Sequence, residues 1–134
     1  MKQFLEVPTR IHNAIIVLSF LAGYKGKYAA SLSLISGDLK LPHTYLEQIM
    51  PSLKRAGFVK AYRGSAGGYR LAKKAGMISF LNVIAALDGD MRVANCVSGG
   101  KCGIENKCPS RKIHIKLQDE LNKSLNKIKI SDFK

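Results

Sequence analysis

Acidic residues and cysteines are both scarce in this chain of 134 residues, and each scarcity excludes a class of protein. Only 9 Asp and Glu stand against 22 Lys and Arg, which gives a net charge of +13. This balance favours a polyanionic partner, either nucleic acid or an anionic membrane surface. The three cysteines leave one thiol over in any paired scheme, and the 46% hydrophobic content is enough for a core without crosslinks. A disulfide-stabilised scaffold is therefore not expected.

Long hydrophobic runs are also missing. The longest, AIIVLSFLAG at residues 14–23, is about half the roughly 20 residues that a membrane-spanning helix requires. The first ten residues, MKQFLEVPTR, contain charges and a proline where a signal peptide has an apolar run. We therefore expect a cytoplasmic protein with no membrane partner.

Sequence patterns typical of enzymes are absent as well. No nucleophile, base and orienting residue are grouped as in a catalytic triad, so the sequence predicts a protein that is not an enzyme. The glycine-rich stretch GSAGG at residues 64–68 lies in a predicted hairpin and lacks the Lys and Ser or Thr that follow in a P-loop. Nucleotide binding is not expected.

The patterns that are present predict short helices followed by a hairpin. One helix is expected from Thr9, as N-cap, to Gly23, and a second over residues 32–39 with Ser31 as its cap. A third begins near Thr44, with an apolar stripe at Tyr45, Ile49, Leu53 and Ala56. Pro51 lies inside it and predicts either a kink or a later helix start.

Residues 58–73 then show two short segments around a glycine-rich centre, the pattern of a two-stranded hairpin. Helix, turn, helix and hairpin predict a winged helix-turn-helix domain, mainly α with a small β-hairpin wing. A fourth helix ends at Gly89, and Pro109 begins a long last helix. We expect a DNA-binding domain over residues 1–90, a cysteine-rich loop over 91–108, and a dimerisation helix and tail over 109–134. The last helix has a narrow apolar seam at Ile113, Leu117, Leu121, Leu125 and Ile128. A seam of this width packs either on its own domain or on a partner helix, and we expect dimerisation.

Positive charge is concentrated on the end of the third helix and the hairpin. Residues 54–74 hold seven Lys and Arg and no acidic residue. In a helix-turn-helix protein the second helix of the pair enters the major groove, and flanking cations neutralise phosphates. Arg63 precedes the hairpin tip and is expected to reach a narrow minor groove. The exposed candidates on the third helix are Thr44, Tyr45, Glu47 and Gln48.

With these elements in place, the chain resembles the family of winged-helix regulators that includes IscR, NsrR and CymR. The resemblance is strongest in TYLEQIMPSLKRAGFVKAYRGSAGGYRLAK at residues 44–73 and continues through LNVIAALDG, the three cysteines and the final LNKIKISDF. It covers residues 7 to 133. It implies a homodimer held by the last helices, bound to a double-stranded operator with the third helix in the major groove and the wing in the minor groove. The expected DNA contacts are Thr44, Tyr45, Glu47, Gln48, Lys54, Arg55, Arg63 and Ser65.

The resemblance also implies a role for the cysteines. Members that keep three cysteines in this loop use them to hold an iron-sulfur cluster, whose oxidation, loss of iron or reaction with nitric oxide alters DNA affinity. The ligands carried over to this chain are Cys96, Cys102 and Cys108, which are separated by six-residue intervals. Thiolates are the soft ligands that such clusters take.

The fourth ligand departs from the family pattern. IscR-like relatives have a histidine three residues after the third cysteine, where this chain has Arg111, whose guanidinium has donors only and cannot ligate iron. NsrR-like relatives use an acidic residue from the first helix of the other subunit, and the resemblance puts His12 at that place. Glu105 and His114 are the other candidates. The nuclearity of the cluster, 2Fe-2S or 4Fe-4S, stays open.

Two functions therefore stay open at the sequence level. The preferred one is a cytoplasmic transcriptional regulator, repressor or activator, whose operator affinity depends on an iron-sulfur cluster. The alternative is a cluster-free regulator that responds through thiol oxidation or a protein partner, as CymR-like relatives lacking the cysteine set do.

Overall fold

A computed structural model describes residues 6–89, 92–93 and 108–133 of the chain. The described part is mostly helical with one antiparallel two-stranded hairpin, which confirms the winged helix-turn-helix architecture. Two short 3-10 helices, Ala75–Met77 and Ile130–Phe133, flank the later elements. The longer elements, in chain order, are α1 (Thr9–Gly23), α2 (Leu32–Leu39), α3 (His43–Arg55), β1 (Val59–Tyr62), β2 (Gly68–Leu71), α4 (Phe80–Asp88) and α5 (Pro109–Lys127).

The helix starts agree with the sequence to within one residue, whereas only one of the two predicted caps is present. The Ser31 side chain caps α2 by accepting a hydrogen bond from the Leu34 amide at 3.1 Å, as predicted. The prediction that Thr9 caps α1 is wrong, because Thr9 is already helical and Pro8 occupies the cap position without a side-chain hydrogen bond. Helix α3 begins at His43, one residue from the predicted start near Thr44, and contains Pro51, so the alternative of a later start is excluded.

Helix α1 lies at the centre of the fold and contacts α2, α3, α4 and the hairpin. Its apolar side chains are buried with those of α3, and this shared core fixes the orientation of the two helices. None of the described helices is both long enough and apolar enough to cross a membrane. The fully buried large side chains include Ile11, Val17, Leu18, Ile35, Leu46, Met50 and Leu53.

A third chain segment extends the hairpin. In the hairpin itself Val59 pairs with Leu71 and Lys60 with Arg70. Ala30, just before α2, exchanges two backbone hydrogen bonds with Tyr69, at 3.0 and 2.7 Å. The segment that joins α1 to α2 is therefore attached to β2, and the hairpin is part of the domain rather than a free arm.

The chain end returns to the start of α4. The Phe80 amide donates to the Ile128 carbonyl at 2.8 Å, and the Ile130 amide donates to the Ile78 carbonyl at 2.9 Å. Ile130 is fully buried. These contacts fix the residues after α5 against the segment that leads into α4, and α5 itself also packs on α4.

Candidate nucleic-acid interface

Helix α3 has one buried face and one exposed polar face. Its buried face consists of Leu46, Ile49, Met50 and Leu53. Thr44, Glu47 and Gln48 are exposed, in agreement with the sequence prediction. The helix therefore presents three short or medium polar side chains that can donate to or accept from base edges. The assignment of these side chains to DNA contacts stays a prediction.

Tyr45 differs from its neighbours on α3. The sequence predicted an exposed side chain, but the ring is half-buried against the core. Its hydroxyl oxygen is buried, and within the described part of the chain it has no hydrogen-bond partner. Tyr45 therefore belongs to the predicted apolar stripe of α3 rather than to its polar face.

A contact between two polar side chains of α3 was missed by the sequence reasoning. The Nδ1 atom of His43 lies 3.0 Å from a carboxylate oxygen of Glu47, and both side chains are about half exposed. The four-residue spacing of the two residues is the signal that would have found it. An exposed pair of this kind contributes little to stability, typically below about 1 kcal/mol. It does orient the Glu47 carboxylate at the start of α3.

The hairpin tip is a tight turn that exposes the wing residues. The Gly67 amide donates to the Gly64 carbonyl at 2.9 Å, which closes the turn. Arg63 and Ser65 are both exposed at this tip. Strand β1 packs on α3 at its other end, so the wing is tied to the helix that presents the polar face.

The positive residues between 54 and 74 do not all face solvent. Arg70 is half-buried and donates to the Gly26 carbonyl at 2.7 Å, and its guanidinium lies 5.7 Å from the centre of the Tyr24 ring. No acidic residue occurs between positions 48 and 87, so this surface has an uncompensated positive charge. The exposed cations on it are Lys54, Arg55, Lys60, Arg63, Lys73 and Lys74.

Only one of the three cysteines belongs to the described residues. Cys108 is a free, partly exposed thiol immediately before α5, whereas Cys96, Cys102 and Glu105 lie outside the described ranges. Within residues 6–89, 92–93 and 108–133, no three His, Cys, Asp or Glu side chains are close enough together to hold a metal ion. The cysteine ligand set stays a prediction.

The other predicted cluster residues lie on two different helices. His12 is exposed on α1, and His114 is half-buried on α5. Arg111, at the place of the histidine found in IscR-like relatives, is half-buried on the first turn of α5. His12 and Cys108 therefore belong to different elements, His12 to α1 and Cys108 to the cap of α5.

The apolar seam of α5 is divided between two surroundings. Leu121 and Leu125 line an apolar groove of about 380 Å³ with side chains from α1 and α4, among them Ile11 and Ile84. Ile113 is 67% exposed, and Leu117 and Ile115 are each 41% exposed. The first half of α5 therefore leaves Ile113 and Leu117 exposed on one face, with Ile115 exposed on the other side of the helix.

Comparison with known proteins decides the family. A family profile described as "Rrf2: Iron-dependent Transcriptional regulator" matches residues 7–134, nearly the entire sequence. The chain belongs to the Rrf2 family of transcriptional regulators. This finding confirms the resemblance to IscR-like and CymR-like proteins and the expectation that the protein is a regulator rather than an enzyme.

Relatives of this Rrf2 regulator agree in sequence and in fold. The transcriptional regulator IscR of Cronobacter sakazakii is 36% identical over 89 residues, which are 66% of this chain and 55% of that protein. The chain thus matches about half the length of the curated relative. CymR of B. subtilis, titled the global cysteine regulator, has a TM-score of 0.77 at 27% identity, covering 97% of this chain and 96% of that one. T. potens IscR has a TM-score of 0.74 at 27% identity, covering 97% and 86%.

Proposed function

We propose that this Rrf2 regulator binds a double-stranded operator with α3 in the major groove and the Arg63 wing in the minor groove. The observation that carries the proposal is the exposed polar face of α3, joined through β1 to a wing without acidic residues. Cations that neutralise phosphates supply affinity, while polar side chains on the helix read base edges. Glu47 can accept from the amino group of a cytosine.

The operator is bound by a homodimer in this proposal. Ile113 and Leu117, which are exposed and lie four residues apart on one face of α5, support a partner surface there. A second copy is the partner that satisfies such a face, because a two-fold interface is self-complementary. Dimerisation would place two α3 helices on one side of the DNA and match an operator with two-fold symmetry.

Regulation through an iron-sulfur cluster is the preferred signal input. The donor chemistry fits, since Cys108 is a free and partly exposed thiol at the start of a long helix and two further cysteines precede it in the sequence. Cys96, Cys102 and Cys108 would hold the cluster, which when bound supplies a redox-sensitive and iron-sensitive group. His12 is exposed on α1, which supports its role as the fourth ligand to a cluster held by the partner subunit.

A second candidate is a cluster-free Rrf2 regulator whose cysteines respond by oxidation or whose activity depends on a protein partner. The similarity to CymR over nearly both full chains favours it. In this case Cys108 acts as a sensing thiol, and its partial exposure gives oxidants access.

One measurement on protein purified without oxygen separates the two candidates. Iron and sulfide are quantified and the visible spectrum is recorded on the same sample. Absorption at about 400 to 450 nm with bound sulfide supports the cluster, because cluster charge-transfer bands fall there when thiolates ligate iron. A colourless protein without iron after attempted reconstitution contradicts cluster sensing and leaves the thiol-based regulator.

Replacing His12 with alanine tests the fourth ligand. We expect His12→Ala to bleach or destabilise the cluster while the dimer and the helix content of the iron-free protein are unchanged, since His12 is exposed. The measurements are the visible spectrum and sedimentation. His43→Ala is the matched control, because His43 is equally an exposed helix-start histidine but lies on α3. A normal spectrum for the His12 variant would exclude this residue as a ligand.

A further inference from the structure

The loop between α1 and α2, residues 24–31, carries exposed positive and aromatic side chains that belong neither to α3 nor to the wing. Lys25 and Lys27 are exposed, and Tyr28 is 57% exposed. The Nζ atom of Lys27 lies 5.5 Å from the centre of the Tyr28 ring. Residues 7–37 contain no Asp or Glu, so no acidic side chain in this part of the sequence offsets the two lysines.

This loop is held against the wing by its backbone. Ala30 makes two hydrogen bonds with Tyr69, and Gly26 accepts a hydrogen bond from Arg70, the next residue of β2. The close approach requires a glycine at position 68, where an added Cβ would lie 2.3 Å from the Ala30 carbonyl oxygen. Consecutive residues of β2 thus fix both halves of the loop.

Aromatic contacts hold the beginning of the loop. The ring of Tyr24 stacks on Phe20 of α1 with centroids 5.9 Å apart, and the Arg70 guanidinium lies on the same tyrosine at 5.7 Å. Because the loop is ordered by these contacts, binding through it costs less conformational entropy than binding through a free loop. Arg70 therefore orders the loop instead of presenting its charge to solvent.

The register of the hairpin shows which side of the wing the loop flanks. Val59 is buried and Lys60 is exposed, so Lys60 and its cross-strand partner Arg70 lie on the outer face of the hairpin. Arg70 reaches Gly26 from this face. The cations of the loop consequently adjoin those of the wing.

We propose that Lys25, Lys27 and Tyr28 form a second contact for DNA phosphates, beside the duplex segment that α3 and the wing bind. Ammonium and phenol groups donate to phosphate oxygens without reading bases, so this contact supplies affinity and register rather than specificity. Arg70 is a positioning residue for the contact. The inference rests on the proposed function, since it extends the surface of a DNA-binding protein.

The test uses the full chain and a duplex of 40 base pairs enriched from a random pool by binding to the unaltered protein. The double variant Lys25→Gln/Lys27→Gln is expected to bind with a log affinity that falls less steeply with log salt, by about 1.8 per subunit. Its hydroxyl-radical footprint should be shorter at the edges and unchanged at the centre. Lys112→Gln/Lys123→Gln, an equal charge change at two exposed positions of α5, is the control and should keep both slope and footprint.

A second variant tests the role of Arg70. Arg70→Met alone should lower the salt slope, because the loop loses the contact at Gly26. When Arg70→Met is combined with Lys25→Gln/Lys27→Gln, the salt slope should not fall further. A further fall of about 0.9 in the double-lysine background would show that Arg70 itself contacts a phosphate and would overturn its positioning role. Circular dichroism checks that each variant is folded.

The outcomes separate this inference from the proposed function. In one outcome, the unaltered protein enriches a duplex, and the double-lysine variant and the control have the same salt slope and the same footprint. This result overturns the loop contact alone. Failure of the unaltered protein to enrich any duplex overturns operator binding and the loop contact together. The inference is supported if the double-lysine variant, but not the control, has a shallower salt slope and a footprint shortened at its edges.

Discussion

Two arginines of the wing have opposite roles although both belong to the same basic stretch. Arg63 is exposed at the tip, with its charge available to a partner. Arg70 donates to the Gly26 carbonyl and lies on the Tyr24 ring. At the scale of the residue, the function of a cation depends on what its side chain contacts. A guanidinium that is hydrogen-bonded within the protein must break those bonds before it can bind DNA, and this costs free energy.

Replacing Arg63 with alanine should weaken operator binding. If the side chain contacts one phosphate, the salt dependence of log affinity becomes shallower by about one unit per subunit. The measurement is a titration of the enriched duplex by fluorescence anisotropy at several salt concentrations. Lys123→Ala, which removes one exposed charge from α5, serves as control. Identical affinity of the Arg63 variant across salt would show that the wing is not engaged.

Replacing Gly68 with alanine should destabilise the domain by about 1 to 3 kcal/mol. The added methyl group would lie 2.3 Å from the Ala30 carbonyl oxygen and 2.4 Å from its carbon, so β2 and the α1–α2 loop must separate. Urea unfolding followed by circular dichroism measures the change. Gly37→Ala on α2, where nothing lies within 4 Å of the new Cβ, should instead stabilise by about 0.5 to 1 kcal/mol. Equal stability of the two variants would contradict the close approach.

At the scale of the element, the helices that position the site begin in different ways. Helix α4 has a reciprocal cap, in which Ser79 accepts from the Asn82 amide and Asn82 accepts from the Ser79 amide, both at 3.0 Å. Helix α3 has no side-chain cap and starts after Pro42, so its first-turn amides are available to water or to a partner. Packing of Leu46, Met50 and Leu53 on the core compensates for the missing cap.

Replacing Ser79 with alanine should lower the free energy of unfolding by about 0.5 to 2 kcal/mol. Ser79 is fully buried, so its loss also leaves the Asn82 amide without its acceptor in a place that water does not reach freely. Thermal and urea unfolding measure the effect. Ser33→Ala, an exposed serine within α2, should change stability by less than about 0.5 kcal/mol. A Ser79 variant as stable as this control would show that the cap contributes nothing.

At the scale of the whole molecule, the two halves of α5 lie in different surroundings. Leu121 and Leu125 face α1 and α4 of the same chain across the apolar groove, whereas Ile113 and Leu117 remain exposed. The same helix also holds residues next to the cysteine loop, since the buried Gln118 accepts from the Val93 amide at 2.8 Å. In the proposed dimer, α5 would contact both its own core and the second copy, and would thereby connect the cysteine-rich segment to the relative placement of the two copies.

Replacing Ile113 with glutamate should dissociate the proposed dimer and leave the fold of the single chain intact. The side chain is 67% exposed, so the charge costs little in the monomer but is buried without a partner in the interface. Sedimentation velocity and circular dichroism measure the two effects. Asn126→Glu, exposed and roughly on the opposite side of α5, is the control. A dimer that survives the Ile113 change would place the interface elsewhere.

The sequence by itself determined the element types, the Ser31 cap, the hairpin, the family and the exposed face of α3. These features depend on residues within a few positions of one another, since capping, turn chemistry and helical periodicity are local. The cap of α1 and the course of α3 at Pro51 were less well predicted, because an apolar core can continue a helix through Pro51 and stabilise a helix that has no side-chain cap. The cysteine ligands, the three-part division of the chain and the DNA contacts stay predictions.

Only the tertiary structure decided which residues of each pattern face the protein. The charge count does not distinguish Arg70 from Arg63, and the helical spacing does not distinguish Leu121 from Ile113. In the structure, Arg70 and Leu121 contact distant parts of the chain, whereas Arg63 and Ile113 face solvent. The attachment of Ala30 to Tyr69 likewise joins positions 39 residues apart. Such pairings depend on how the elements pack around α1, and packing is set by the summed burial of many side chains, so no local pattern specifies them.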